Sequence, residues 1–394
     1  MELILYDPAR HKPLRGIRWD ENFVRQTIEH IVADAEEHFT SKCYWPTHPL
    51  DASGDESLNQ VRTPLYFGAC GVIWALHYLQ SVGAVHLSRS YIDDLDSLLI
   101  IVSGLGDTPV HMLSFGENPT VEVKKTLDTL IAGNLDHPSR ELMWGSPGTL
   151  LATLFLYERT GESRWAELFR LTAAKLWSEL QWSSEYECHY WTQDLYGDQA
   201  TFLDAVHGFV ATASPLIRGR HLLNSTIWAD WEQCIAHTIQ RTASRSGSQA
   251  NWRVYLYGNE SSNRPMLMQF CHGAPGFIIC LADFPSIAID DLLIAAGEAI
   301  WAAGPLIKGS NLCHGTGGNG YAFLKLYQRM GNPEWLERAK AFAMHGISQT
   351  NEATLHYGQM RYSLWTGDIG FAIYLWDCLR SQAAFPTLDV FYRS

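Results

Sequence analysis

Two tripeptides carry most of the chemistry that this 394-residue sequence advertises: Cys271-His272-Gly273 and Cys313-His314-Gly315, 42 residues apart. Thiolate sulfur and imidazole nitrogen are the ligands that tetrahedral Zn2+ prefers. Three protein ligands leave an open, catalytic position, and four close the site structurally. The spacing leaves open whether His272 or His314 completes a set with Cys271 and Cys313. The other six cysteines, at 43, 70, 188, 234, 280 and 378, show no disulfide spacing, and most free cysteines are small buried hydrophobes.

Both tripeptides end on the first glycine of a recurring pattern. Gly68-Ala69-Cys70-Gly71, Gly145-Ser146-Pro147-Gly148, Gly273-Ala274-Pro275-Gly276, Gly315-Thr316-Gly317-Gly318 and Gly367-Asp368-Ile369-Gly370 each open an apolar helical run. A sixth copy begins at His207-Gly208 with Ala211 in place of the second glycine, and the 77-residue step from Gly71 to Gly148 leaves room for a seventh. Amphipathic helices separate these runs: apolar residues recur at steps of three and four over 21–39, 91–102, 164–180, 227–242, 290–303 and 333–347. Only Trp252–Leu256 and a few residues near Tyr190 read as extended. A repeat of outer helix, loop, G-x-x-G and inner helix predicts an all-α, double-layered (α/α) toroid of six to seven helix pairs, with residues 1–394 as one domain. Neighbouring repeats in such a toroid present equivalent loops side by side.

Composition narrows the function. With 46% apolar and 18% charged residues the chain can bury a large core. The net charge of −13, without a basic run, argues against nucleic acid. No stretch has the ~20 apolar residues of a membrane helix, and the start, Met1-Glu2-Leu3-Ile4, lacks a basic n-region. A cytoplasmic protein is expected.

The residues around these loops resemble lanthionine synthetase C-like (LanC-like) proteins, closer to the stand-alone glutathione-associated branch than to the bacterial cyclases. The likeness is carried by 264–276 (RPMLMQFCHGAPG), 312–324 (LCHGTGGNGYAFL), 141–148 (ELMWGSPG) and 362–370 (YSLWTGDIG). It implies a toroid with Zn2+ held by Cys271, Cys313 and His314. The cyclases carry Tyr where this chain has His272, which implies a role for His272 other than ligand. It also implies a catalytic histidine at His207, with Glu141 where the cyclases have Asp. The implied reaction adds a thiol, from glutathione or a peptide cysteine, to dehydroalanine or dehydrobutyrine residues and leaves a thioether. A nearby imidazole then returns a proton to the enolate. His207 is the expected acid, oriented by Glu141 or Asp204. His272 is a second proton shuttle. Arg264 and Arg361 are expected to grip glutathione carboxylates. The acceptor is a dehydroamino-acid-containing peptide or protein, made by a separate dehydratase. The competing functions are a non-catalytic glutathione- or peptide-binding module and a glycan-processing α/α toroid. The latter runs on a carboxylate pair, and none stands out.

Overall fold

The computed structural model describes residues 4–52, 61–91, 94, 121–195, 197–258 and 265–391. Among them are twelve α-helices: α1 (Glu21–Glu37), α2 (Ala69–Ser81), α3 (Val121–Gly133), α4 (Ser146–Thr160), α5 (Ser163–Ser178), α6 (Phe209–Arg218), α7 (Ser225–Thr242), α8 (Ala274–Leu281), α9 (Asp290–Ala303), α10 (Thr316–Met330), α11 (Pro333–Tyr357) and α12 (Asp368–Arg380). Six short strands form three antiparallel pairs: β1 (Gln181–Ser183) with β2 (Cys188–Tyr190), β3 (Gln193–Leu195) with β4 (Asp198–Ala200), and β5 (Ala243–Ser246) with β6 (Gln249–Trp252). The helix expected over 91–102 and the room for a seventh repeat fall largely outside the described residues. No described helix is long and apolar enough to cross a membrane.

Contacts divide the chain into two compact units. One holds residues 4–9 and 121–303, with α3–α9 and all six strands. The other holds the described residues of 10–94 and 304–391, with α1, α2 and α10–α12.

Helices of two kinds alternate in each unit, and they start differently. Three of the outer, amphipathic ones start on side-chain caps. Asp20, Asn224 and Asn332 accept the Phe23, Ile227 and Glu334 N–H groups at the heads of α1, α7 and α11. The inner ones are buried on most faces: every residue of α8 is buried, as are 146–156 of α4, 316–326 of α10 and 368–378 of α12. They start on Gly68, Gly145, Gly208, Gly273, Gly315 and Gly367, none with a side-chain cap.

In four of them the first N–H groups, which have no partner inside the helix, are taken by main-chain carbonyls seven residues earlier, whereas in α8 the Ala274 N–H donates to Asn251 Oδ1 at 2.7 Å. Ala69 and Cys70 donate to Arg62 and Thr63, Thr316 and Gly317 to Gly309 and Ser310, and Asp368 to Arg361, at 2.8–3.2 Å. The loop must therefore lie against the helix end, and a side chain there would collide. A Cβ on Gly71, Gly148, Gly276 or Gly370 would sit 2.0, 2.2, 2.1 or 1.8 Å from the carbonyl oxygen six residues back. Gly273 adds a positive φ of 108°.

The copy with Ala211 is held in the same way. Phe209, Val210 and Ala211 donate to Phe202, Leu203 and Asp204 at 3.0–3.2 Å. The missing second glycine thus leaves the backbone cap in place. Helix α11 runs ten residues beyond the predicted 347, through the polar stretch 348–357. That stretch has little apolar periodicity, and it ends where Gly358 turns left-handed at φ 71°.

Gly148→Ala should destabilise the fold by about 1–3 kcal/mol, the cost of overpacking. Gly161→Ala, where nothing lies within 4 Å, should cost only the left-handed strain of about 1–2 kcal/mol. Urea unfolding of both variants checks the ranking, and equal losses would contradict the close-approach account. We propose, in addition, that residues 1–394 behave as one domain. Limited proteolysis should then give no pair of fragments that each fold alone.

Candidate active site

The loop before each inner helix has a fixed internal register. Four residues before the capping glycine stands a polar side chain in five copies, Glu141, Asp204, Gln269, Asn311 and Ser363, and Pro64 in the first. Most of them satisfy the turn that follows. Glu141 accepts the N–H of Met143 at 2.9 Å and that of Trp144. Asp204 Oδ1 accepts those of Val206 and His207 at 3.0 and 2.8 Å, and Asn311 Oδ1 accepts that of His314 at 3.0 Å. Ser363 and Thr366 join their hydroxyls at 2.8 Å.

The residue just before the glycine is Trp144, His207, His272, His314 or Thr366 in these same copies. In the first unit each histidine finds the carboxylate of the preceding copy. His207 Nδ1 lies 3.1 Å from Glu141 Oε2, and His272 Nδ1 lies 2.7 Å from Asp204 Oδ2. Both carboxylates are fully buried, whereas the imidazoles are 23% and 22% exposed. Such a dyad fixes the orientation of the ring. Asp204 carries both: one oxygen holds His272, the other the His207 main chain. Of the two possible partners for the His207 ring, it is therefore Glu141 that binds it. The two rings stand 6.5 Å apart, centroid to centroid. Trp144 lies parallel to His207 at 6.1 Å and Phe202 tilts against it at 5.2 Å.

Cys271 belongs to this unit, on a tight turn in which the Gln269 and His272 main chains exchange hydrogen bonds at 3.0 and 3.1 Å. Its sulfur accepts Gln269 Nε2 at 3.0 Å. Cys313 and His314 belong to the other unit. There the Cys313 N–H donates to the Trp365 carbonyl at 2.9 Å, and the Trp365 N–H donates to the Tyr66 carbonyl at 3.1 Å. This ladder brings the Tyr66 hydroxyl to Cys313 Sγ at 2.6 Å. Among the described residues, no three histidine, cysteine, aspartate or glutamate side chains are gathered so as to hold a metal ion.

His314 also lines a cavity of about 510 Å3 within its unit, with Lys12, Lys308, Glu352, Tyr357 and Arg361. Arg15 neutralises Glu352. Arg361 spends Nε and Nη2 on Asp51. Lys12 and Lys308 therefore supply the unbalanced positive charge. Arg264 lies outside the described residues.

Asp368, at the head of α12, accepts the Ser310 and Thr350 hydroxyls and the Arg361 N–H. It ties buried loops together, and burial raises its pKa. His77 accepts the Tyr91 N–H, a structural role.

A family model described as "Lanthionine synthetase C-like protein" matches residues 24–390. The chain belongs to that family. Its relatives include "Glutathione S-transferase LANCL1" of Danio rerio, 35% identical over 139 residues, and "LanC-like protein GCL1" of Arabidopsis thaliana, 36% identical over 151 residues. These alignments span 32% and 34% of this chain and about a third (32%) of each relative. Among solved structures, "Nisin cyclase" superposes over 92% of this chain and all of its own, with a TM-score of 0.56 at 14% identity. That likeness is one of fold, and the fold shared is the α/α toroid expected from the repeats.

Sequence reasoning passed over Tyr66, Lys12 and Lys308 in this LanC-like chain. A signal existed for Tyr66. In the first copy it occupies the place, two residues before the glycine, that Cys271 and Cys313 hold in theirs.

Glu141→Ala strands two main-chain N–H groups and an imidazole, at about 1–3 kcal/mol for each stranded buried group. Urea unfolding should show a loss of about 3 kcal/mol or more. Glu141→Gln keeps an acceptor oxygen and should lose less than half of that. Equal losses would mean that the carboxylate oxygens do not hold the turn.

Proposed function

We propose that this chain adds a thiol, glutathione or a peptide cysteine, across the double bond of dehydroalanine or dehydrobutyrine in a peptide or protein. The product is a thioether. The observation that carries the reading is the His207–Glu141 dyad, a partly exposed imidazole backed by a fully buried carboxylate. The names of the relatives support it, since one is a glutathione S-transferase and the structural neighbour a cyclase.

Cys271, Cys313 and His314 would hold Zn2+. The donor set suits it, with two sulfurs that already accept side-chain hydrogen bonds and one imidazole. Zinc held there would supply thiol activation, since coordination lowers a thiol pKa from near 8.5 and would keep the thiolate present at neutral pH. The sulfur–carbon bond forms at the β-carbon, and the π pair moves to the α-carbon as an enolate. His207 delivers a proton from Nε2 to that α-carbon, and Glu141 steadies the imidazolium before transfer. The thiol proton and the added proton balance, and nothing leaves. Trp144 and Phe202 keep the His207 ring in one orientation and shield it from water.

Glutathione carries two carboxylates. Lys12 and Lys308, in the cavity that His314 lines, are suited to receive them. Arg361 contributes through the edge left by Asp51. The dehydroamino acid comes from another enzyme.

A positioned general acid is worth about 10²–10⁴-fold. His207→Asn should therefore lose addition rate in that range, with zinc content unchanged. An unchanged rate would make His207 structural. Cys313→Ala should lose its zinc. Lys308→Met should raise KM for glutathione roughly tenfold with kcat unchanged, the mark of lost uniform binding.

A further inference from the structure

Both cysteines assigned as ligands accept a side-chain hydrogen bond at sulfur, Cys313 from the Tyr66 hydroxyl and Cys271 from the Gln269 amide. The two donors come from fixed places in the repeat. Gln269 stands four residues before its glycine, where two other copies carry the acid that caps the turn. Tyr66 stands two before its own, and the main-chain ladder from Cys313 through Trp365 to Tyr66 sets its ring beside the sulfur. That ring packs on Trp365 at 5.3 Å and on Phe67 at 5.8 Å.

An enzyme of the proposed kind has a selectivity problem, because its acceptor is an electrophile and three sulfurs compete for it. A ligand thiolate can add to the β-carbon as the incoming thiol does. Sulfur–carbon bond formation and protonation of the α-carbon would then leave the protein alkylated, with nothing to reverse it. A hydrogen bond into a thiolate lone pair spreads its charge and lowers its nucleophilicity. Tyrosine and glutamine are donors that supply this without adding a competing charge.

We propose that Tyr66 and Gln269 are positioning residues that hold back the Cys313 and Cys271 sulfurs from the electrophile, so that the incoming thiol is the one that adds. The inference rests on the thiol-addition reading above.

The test uses full-length protein saturated with zinc and the electrophile N-ethylmaleimide. Peptide mass spectrometry follows alkylation of Cys313 and Cys271 in the same molecules. Tyr66→Phe keeps the ring and loses only the donor. Cys313 should be alkylated roughly tenfold faster, the scale of one hydrogen bond to a charged group, with Cys271 unchanged. Gln269→Met should do the reverse, giving an independent reading if the first variant folds poorly. Unchanged alkylation at both sulfurs in zinc-bound variants overturns this proposal and leaves the functional reading standing. Wild-type protein that takes up no zinc, measured first by metal analysis, overturns both.

Discussion

The close approach of a loop carbonyl to the N-terminus of each inner helix sets nearly everything else in the molecule. A buried helix start needs acceptors for its first N–H groups. For α2, α6, α10 and α12 the chain supplies them from its own main chain, seven residues upstream, and for α8 from the Asn251 side chain, where the outer helices α1, α7 and α11 use Asp20, Asn224 and Asn332. The geometry tolerates no Cβ at Gly71, Gly148, Gly276 or Gly370. It also fixes the length of the loop, and hence the side chains that stand four, two and one residues before the capping glycine.

Chemistry has been built onto that register. Four residues before the glycine, a side chain must satisfy its own turn, and a carboxylate does so with oxygen capacity to spare. Glu141 and Asp204 use the remainder to orient the histidine that the following copy presents one residue before its glycine. The same buried group is thus a turn cap and the partner of an imidazole, so the fold and the His207 dyad stand on the same bonds. Two residues before the glycine come Cys271, Cys313 and Tyr66, sulfur and its hydrogen-bond donor at equivalent positions of different copies.

Much of this was legible in the sequence because the repeat is written in glycine and in buried helices. Five glycine pairs before apolar runs announced the architecture. The repeated Cys-His-Gly marked the residues to watch. Other features were not legible, for physical reasons. The pairing of Glu141 with His207 and of Asp204 with His272 spans 66 and 68 residues, and no local pattern records it. Strands of three or four residues, such as β1 and β2, are too short to show alternation. The last ten residues of α11 are mostly polar, only Gln349 and Thr350 among them being buried, and they give little periodicity. The involvement of Arg361 with Asp51, 310 residues away, is likewise a tertiary fact.

The central claim is that this chain forms thioethers by adding a thiol to a dehydroamino acid. The most direct measurement is the mass of a dehydroalanine peptide after incubation with the zinc-saturated protein and glutathione at neutral pH. The account predicts a gain of one whole glutathione, with no group lost, at a rate well above that of glutathione alone. A peptide that gains mass no faster with the zinc-bound protein than without it would contradict the account.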